Sequence, residues 1–287
     1  MQYIHSIDRS QKGAKSSHDK TKVDVLVFDS GVGGLSIAQE LIAVKPDLSI
    51  CFYCDNEGFP YGTKADAWLL ERVSRLFTEI LSHISPSAVV IACNTASTIV
   101  LDMLRKETDI PIVGVVPAIK PASLLTRTGH IGLIATPATV ARPYTKELVK
   151  TFASQCQLVS IGSSRLVELA ELHMRGGTID IGELAAICQD FGDKNQAKVD
   201  VIVLGCTHFP LLKSQLKTLL PSDVQWIDSG AAIARQVFKV LESTQSLDRP
   251  NKKQGNLFIT TRNENLRPMI AFLSGLGFTN FSYLNIK

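Results

Sequence analysis

Two stretches of the chain share one pattern, AVVIACNT at residues 88–95 and VIVLGCTH at residues 201–208. In each, four apolar residues are followed by a small residue, a cysteine and then polar residues. Continuous apolar runs of this length are typical of strands that are buried on both faces of a parallel sheet. The repeat predicts two similar units, each with a cysteine where a strand gives way to a helix.

Similar apolar runs recur along the chain and alternate with amphipathic segments. The predicted strands cover residues 23–28, 49–53, 88–92, 112–115, 131–134, 158–161, 199–204 and 225–227. The clearest helical spacing is that of Ala96, Ile99, Val100, Met103 and Leu104. A looser repeat relates LVFDS at 26–30 to GLIAT at 132–136. The expected fold class is α/β, with two similar doubly wound α/β domains facing each other across a central active-site cleft.

Length and composition restrict the class of protein. A chain of 287 residues is long enough for two modest domains. Its 45% hydrophobic and 20% charged residues suit a well-packed enzyme and exclude a disordered chain. Lys and Arg exceed Asp and Glu by 30 to 27, without a basic stripe, so no nucleic acid is expected as a partner. The expected partner is a small molecule.

The first 22 residues are polar and lack apolar periodicity. They predict an N-terminal extension (1–22) that is mobile or loosely docked, ahead of a fold that starts at Val23. No apolar stretch approaches the roughly 18 residues that span a bilayer, so no membrane association is expected. The first residues also lack the apolar core of a secretory signal. These observations predict a cytoplasmic protein.

Cys93 and Cys206 end the two repeated strands, at the position where open α/β sheets bind ligands. A helix N-terminus there presents free backbone N–H groups and is expected to lower the pKa of a thiol. The alternative is a small buried residue that fills a strand end. A matched pair favours a functional interpretation, because racemisation removes a proton from one face of a tetrahedral carbon and returns one from the other. Such a reaction needs an acid/base group on each side.

The other four cysteines are interpreted as structural. Cys51 and Cys54 form a C-x-x-C within a strand, so their side chains should point to opposite faces, and no second pair completes a zinc site. Cys156 and Cys188 have no motif around them. The sequence also lacks a phosphate-binding P-loop and an H-E-x-x-H zinc motif.

Further polar motifs follow the predicted strands. DSGVGG at residues 29–34 is a glycine-rich turn whose backbone can approach a carboxylate or a phosphate. As a dinucleotide fingerprint it is defective, because Ser36 occupies the third glycine position. Asp29 could cap the strand, hold an ammonium group or orient a thiol. The sequence PYG at residues 60–62 is either a functional loop or an ordinary turn.

Three residues after later strands also have two interpretations. Thr136 and Thr139 either donate hydroxyls to a carboxylate or cap the next helix. His208 is either the proton partner of a thiol or structural. Pro210 suits the first turn of the helix that follows.

Taken in order, these motifs resemble those of the glutamate racemase family, a group of cofactor-independent racemases that also includes aspartate racemases. The resemblance runs from about residue 25 to residue 243 and more weakly to the end. The matching segments are DSGVGGL at 29–35, PYG at 60–62, ACNTA at 92–96, GVVPA at 114–118, TPAT at 136–139 and GCTHFPLL at 205–212.

The resemblance implies two α/β domains around a buried site, with a discontinuous first domain (23–117 and 228–287) and a second domain at 118–227. It implies no pyridoxal phosphate or metal. Cys93 would take the α-proton of D-glutamate and Cys206 that of L-glutamate. The implied catalytic residues are Cys93, Cys206, Asp29, His208 and Glu171. The implied substrate-binding residues are Asp29, Ser30, Pro60, Tyr61, Gly62, Asn94, Thr95, Thr139, Thr207 and His208.

Several alternatives stay open. Residues 162–171 depart from the Cys-Pro-rich version common in the family, so Glu168 could replace Glu171 as the assisting carboxylate. The extension before Val23 resembles that of the branch activated by the cell-wall precursor UDP-N-acetylmuramoyl-L-alanine, and the D-glutamate formed would supply peptidoglycan. A homodimer is a candidate assembly that the sequence does not decide.

Other functions are less consistent with the sequence. The nearest alternative is aspartate racemase or another two-thiol amino-acid racemase. A non-catalytic amino-acid-binding protein would need the cleft but not two cysteines. A nucleotide-dependent oxidoreductase would need an intact glycine fingerprint.

Overall fold

Two separate parallel sheets organise the chain. They are seen in a computed structural model that describes residues 5–6, 20–191, 199–244, 256–261 and 265–284. The strands are β1 His5–Ser6, β2 Thr21–Asp29, β3 Ile50–Cys54, β4 Ile84–Ile91, β5 Ile112–Gly114, β6 His130–Ala135, β7 Gln157–Gly162, β8 Val201–Leu204, β9 Gln225–Ile227, β10 Asn256–Thr260 and β11 Phe278–Tyr283. The helices are α1 Leu35–Val44, α2 Asp66–His83, α3 Asn94–Glu107, α4 Ile119–Leu125, α5 Pro137–Ala141, α6 Pro143–Phe152, α7 Arg165–Met174, α8 Ile181–Cys188, α9 Lys213–Lys217, α10 Gly230–Ser243 and α11 Ile270–Gly275.

The first sheet has the order β1-β11-β10-β3-β2-β4-β5, and all of its neighbouring strands are parallel. From β2 the chain adds β3 on one side and then β4 on the other, so the winding direction reverses between β2 and β4. The carboxyl ends at such a reversal leave a crevice in which ligands of doubly wound sheets bind.

The second sheet repeats this arrangement with the order β7-β6-β8-β9, again all parallel. Its reversal lies between β6 and β8. We call the first sheet and its helices the first lobe, and the second sheet and its helices the second lobe. The expected α/β class with two similar doubly wound units is confirmed.

Both faces of each sheet are covered, as continuous apolar strands require. In β2, Val25 and Val27 face one hydrophobic core while Leu26 and Phe28 face another. The first core is closed by α1, α10 and α11, and the second by α2 and α3. Two further cores cover the two faces of the second sheet.

All eight predicted strands are present, with ends that differ by up to four residues. Three strands were not predicted: β1, β10 and β11. β10 and β11 lie in the first sheet, on the far side of β3. The first sheet draws its strands from residues 5–114 and 256–283 and the second from 130–227, while the limits of the domains stay a prediction.

The N-terminal extension differs in part from its prediction. His5–Ser6 pairs in parallel with Ser282 and Tyr283 at the edge of the first sheet, and β2 already begins at Thr21 rather than Val23. The rest of residues 1–19 lies outside the described residues. Among the residues that are described, no helix is long and apolar enough to cross a membrane.

Candidate active site

One cleft lies where the carboxyl ends of the two sheets face each other. It encloses about 510 Å³ of space, its open mouth included. The lining comes from both lobes: Asp29, Ser30, Phe59, Pro60, Tyr61, Gly62, Thr63, Cys93, Asn94, Thr95, Thr136, Thr139, Ser164, Val167, Glu168, Cys206, Thr207 and His208. Both cysteines of the sequence repeat therefore reach the same cavity, one from each lobe.

Cys93 lies between the end of β4 and the start of α3 and is almost wholly buried. The Ser30 hydroxyl lies 3.9 Å from its sulfur. Burial, followed by the charge of Asp29, raises the pKa of the Cys93 thiol far above its ordinary value. The expectation of a lowered thiol pKa is wrong for Cys93, because these two effects outweigh the helix N-terminus. Cys93 is therefore a neutral thiol.

Cys206 follows β8 in the corresponding place of the second lobe and is equally buried. Its sulfur lies 3.9 Å from Nδ1 of His208. The segment after it is a 3-10 helix at Phe209–Leu212 and not an α-helix. Pro210 lies in its first turn, as expected. The tighter turn places His208 beside the sulfur.

Glu171 completes a chain of polar groups behind Cys206. Its Oε1 lies 2.9 Å from His208 Nε2 and accepts the backbone N–H of Val32 at 2.7 Å, while its Oε2 accepts from Arg175. Burial alone would raise the pKa of Glu171, but His208 and these donors lower it overall. Burial likewise opposes the charged form of His208, yet Cys206 and Glu171 raise the pKa of His208 well above its usual range. The pair is thus a buried carboxylate and a buried imidazolium.

The other candidate carboxylate has a different environment. Glu168 lines the cleft but its side chain is half exposed and pairs with Arg165 at 2.8 Å. Glu171 does not line the cleft and instead contacts His208 from behind. The geometry thus gives Glu171, and not Glu168, the place next to the cysteine–histidine pair.

Asp29 ends β2 and lines the cleft together with both cysteines. Its side chain is fully buried, accepts the backbone N–H of Ser30 at 2.6 Å and accepts the Thr207 hydroxyl of the second lobe at 3.1 Å. Burial raises the pKa of Asp29, and His208 partly opposes this shift. A carboxylate held in this way can orient a thiol or receive an ammonium group.

The glycine-rich turn after β2 contacts the second lobe. A β-carbon on Gly31 would overlap Glu171, and one on Gly33 would overlap His208 and Thr207. Glycine is needed at both positions because side chains of the other lobe fill the adjoining space. The carboxylate that this turn was predicted to approach is Glu171 of the protein itself.

Asn94 offers an unused acceptor. Its Nδ2 donates to the backbone carbonyl of Gly205 in the second lobe at 2.8 Å. Within the described part of the chain, its buried Oδ1 has no hydrogen-bond partner. Buried acceptors are almost always satisfied, so this oxygen marks where a donor from a ligand would bind.

The capping role is confirmed for Thr136, whereas donation of hydroxyls to a carboxylate by Thr136 and Thr139 stays a prediction. The Thr136 side chain caps α5 by accepting the backbone N–H of Thr139, and the two hydroxyls lie 2.9 Å apart. Both residues also line the cleft, opposite the segment Phe59–Thr63 of the first lobe.

The cleft contains every substrate-binding residue implied by the resemblance and every implied catalytic residue except Glu171. Phe59, Thr63, Ser164 and Val167 line it without having been predicted. Phe59 and Thr63 flank the PYG motif, and Ser164 follows β7. The rule that ligands bind at the carboxyl ends of strands could have identified these positions.

The four remaining cysteines lie outside the cleft lining, and none of them forms a disulfide within the part of the chain that the structure describes. Cys51 and Cys54 belong to the cores on opposite faces of the first sheet, as predicted for residues three positions apart in one strand. Among the residues that the structure describes, no three His, Cys, Asp or Glu side chains are grouped as metal ligands.

Known proteins with similar sequences identify the family. The sequence model for Asp/Glu/Hydantoin racemase matches residues 36–237. Glutamate racemase of Pectobacterium carotovorum subsp. carotovorum (strain PC1) is 53% identical over 212 residues, 74% of each chain. Glutamate racemase of Salmonella typhi is 49% identical over 218 residues, 76% of this chain and 77% of that protein.

Solved structures agree with the sequence matches. Escherichia coli glutamate racemase, in complex with L-glutamate and the activator UDP-MurNAc-ala, superposes with a TM-score of 0.86 at 40% identity, over 93% of this chain and 99% of that one. A glutamate racemase isoform from Bacillus anthracis gives a TM-score of 0.76 at 27% identity, over 94% and 98%. This chain belongs to the Asp/Glu/Hydantoin racemase family.

Proposed function

We propose that this chain is a glutamate racemase that interconverts L- and D-glutamate by proton transfer between two thiols. The observation that supports it most is the pair Cys93 and Cys206, which end strands of separate sheets and line one buried cleft. The substrate is supported by the glutamate racemases that match most of the chain.

The mechanism uses one thiol on each face of the α-carbon. In the L-to-D direction, Cys206 takes the α-proton and Cys93 returns its own proton from the opposite face; the reverse direction exchanges the roles. The neutral state of Cys93 suits the donor role. His208 is protonated and its Nδ1 lies 3.9 Å from the Cys206 sulfur, so a cation lies beside the sulfur that exchanges the proton.

Binding of the amino acid uses groups at the carboxyl ends of both sheets. The free Oδ1 of Asn94 is placed to accept from the α-ammonium group. The hydroxyls of Thr95 and Thr139 are donors for the carboxylates, while the hydroxyl of Thr207 donates to Asp29. Closure of the lobes removes water, which strengthens each of these interactions. The proposal includes neither pyridoxal phosphate nor a metal.

Proton NMR in deuterated water tests the proposal. Wild type, Cys93→Ala and Cys206→Ala are each incubated with L- and with D-glutamate, while circular dichroism follows inversion and thermal denaturation checks folding. Wild type should exchange the α-proton as it inverts the carbon, and each folded variant should lose racemisation by at least about a thousandfold.

The outcomes separate the substrate from the mechanism. If glutamate keeps its α-proton with wild type, the substrate assignment fails, and aspartate racemisation becomes the alternative. If either cysteine variant racemises at the wild-type rate, the two-thiol mechanism fails while the substrate stands.

We extend the proposal to regulation and biological role. The E. coli relative was crystallised with UDP-MurNAc-ala as an activator. We propose that this precursor also activates the present chain and that the D-glutamate formed supplies peptidoglycan in the cytoplasm. Racemisation rates measured with and without saturating precursor test the activation, and unchanged rates would reject it.

A further inference from the structure

A further buried carboxylate, outside the cleft lining, supports the loop that carries the PYG motif. Asp55 follows β3 and is fully buried. The guanidinium of Arg72, on α2, donates to both of its oxygens, with Nε to Oδ2 and Nη2 to Oδ1 each at 2.6 Å. Such a two-point contact fixes the plane of the carboxylate as well as its charge.

Two hydroxyls also donate to the Asp55 carboxylate. Tyr61 donates its phenolic O–H to Oδ2 of Asp55 at 2.6 Å, and Thr261 donates to Oδ1 at 2.7 Å. Tyr53 extends the network, since its hydroxyl lies 3.0 Å from that of Thr261. Each carboxylate oxygen thus receives a charged donor and a neutral one.

The carboxylate holds the loop just before its cleft-lining part and within it. Besides the Tyr61 hydroxyl, the backbone N–H of Gly58 donates to Asp55. It lies 3.3 Å from the side-chain Oδ1 and 3.1 Å from the backbone carbonyl oxygen of Asp55. A β-carbon on Gly58 would overlap the Asp55 carboxylate, so the approach requires glycine. Between and just after these anchors, Phe59–Thr63 line the cleft.

The strands and helices do not fix this loop by themselves. Between β3 and α2, regular structure is limited to the 3-10 turn Tyr61–Thr63. A buried ion pair is seldom the most stable choice, because apolar residues of similar size often stabilise a fold as well. A carboxylate with a fixed plane, however, defines the position of Tyr61 more narrowly than apolar packing does.

We infer that Asp55 is a positioning residue, which holds Tyr61 and residues 58–63 in the geometry that binds the substrate, with Arg72 and Thr261 as its own supports. This inference rests on the proposed function. Thr261 follows β10, so the C-terminal segment takes part in the site without lining it.

Two tyrosine-to-phenylalanine variants form a matched test. Tyr61→Phe removes the hydroxyl on Asp55 and leaves the ring that lines the cleft. Tyr53→Phe removes an equally buried hydroxyl of the same network but leaves every donor to Asp55 in place. Both variants lose one buried hydrogen bond, so a purely structural role of Tyr61 predicts equal kinetics for the two folded variants.

If Asp55 positions the loop, Tyr61→Phe and Tyr53→Phe should differ in their kinetics. A racemase has an equilibrium constant of one, so kcat/KM must fall equally for L- and D-glutamate. We expect Tyr61→Phe to raise KM for both isomers about tenfold, the equivalent of one hydrogen bond to a charged acceptor, with kcat changed less than about twofold. Tyr53→Phe should keep the wild-type KM. Asp55→Asn, which retains the shape but not the charge, should raise KM at least as much as Tyr61→Phe if it folds.

Amide hydrogen exchange gives a readout that does not depend on turnover. Exchange at Gly58 and Lys64 should accelerate in Tyr61→Phe and stay at the wild-type rate in Tyr53→Phe. Equal KM values or equal exchange rates for the two folded variants would overturn the inference. If wild type does not racemise glutamate, the proposed function fails, and the exchange rates still decide whether Asp55 positions the loop.

Discussion

At the scale of single residues, the buried pair of His208 and Glu171 determines how stability depends on pH. The pKa of His208 lies above its ordinary 6.5, so its contribution is complete below pH 6.5 and is lost as pH rises through the raised value. The pKa of Glu171 lies below its ordinary 4.5, so its contribution is complete above pH 4.5 and is lost as pH falls through the lowered value. Both contributions are therefore complete between these two limits.

We expect Glu171→Gln to lower the free energy of unfolding by about 3 kcal/mol within that window, because it removes the carboxylate that pairs with a buried imidazolium. The difference from wild type should shrink on either side. Urea denaturation from pH 4 to pH 9 measures it. Glu168→Gln, in the same helix but half exposed, is the control and should change stability by less than about 0.5 kcal/mol. A difference that is constant over pH would contradict the assignment of charges.

The thiol of Cys93 should respond to the charge of Asp29. After burial, this carboxylate is the largest cause of the raised pKa of Cys93. In a Cys206→Ala background, Asp29→Asn should therefore increase iodoacetamide alkylation of Cys93 about threefold to tenfold at pH 9, since one pKa unit changes the thiolate fraction tenfold. Mass spectrometry of the Cys93 peptide follows the reaction.

Cys51 is the internal control in the same spectra, because burial alone raises its pKa. Its alkylation should be the same with and without Asp29→Asn. A parallel increase at Cys51 would indicate general loosening of the fold instead of an electrostatic effect.

At the scale of elements, the strands that sequence patterns predicted are those with continuous apolar runs. β2, β3 and β8 are buried almost throughout, so their sequences leave little choice of structure. β11 has only two buried residues, Phe278 and Phe281, and β1 is a pair of polar residues held by backbone hydrogen bonds. Strands of this kind depend on neighbours that are distant in sequence, which is why the pattern missed them.

The candidate site divides in the same way. Cys93 and Cys206 were found from the sequence because strand ends repeat a pattern. The contact between Glu171 and His208 was not predicted from the sequence. It depends on which face of α7 packs against the segment that follows β8. The sequence shows the charge of Asp29. Its effect on the pKa of Cys93, however, depends on both groups being buried in one cleft, which only the structure shows.

The turn before α1 is an element whose sequence is set by the opposite lobe. Gly33→Ala should disturb the fit between the lobes, because the added β-carbon overlaps His208 and Thr207. We expect a loss of about 1–3 kcal/mol in the free energy of unfolding, the usual range for overpacking, together with reduced racemisation. Chemical denaturation and the racemase assay measure the two effects.

Gly275→Ala provides a comparison within α11. No atom lies within 4 Å of a β-carbon built there, so the substitution should be neutral or stabilise the helix by up to about 1 kcal/mol. Wild-type activity in Gly33→Ala would show that the lobes do not need the close approach seen at this turn.

At the scale of the whole molecule, polar contacts at the cleft join the two lobes. Asn94 to Gly205, Thr207 to Asp29 and Val32 to Glu171 all lie within or behind the cleft. An ion pair elsewhere joins the start of α2 to the junction of α5 and α6, where Arg142 donates to both oxygens of Asp66 at 3.1 and 2.9 Å. The hydrogen bond from Arg142, followed by its charge, keeps the pKa of Asp66 below its ordinary value.

This ion pair should favour the closed arrangement of the lobes and respond to salt. The Asp66 side chain is 60% exposed, so the pair contributes about 1 kcal/mol at most, or a change of about fivefold in the closed population. We expect Arg142→Gln to raise KM for glutamate up to about fivefold. In wild type KM should rise with sodium chloride towards the value of the variant, whereas in the variant it should change little, because salt screens the charges that the substitution removes. Lys150→Gln removes an exposed charge within α6 of the same lobe and should behave as wild type. If KM of Arg142→Gln kept the salt dependence of wild type, closure would have to rest on the contacts inside the cleft.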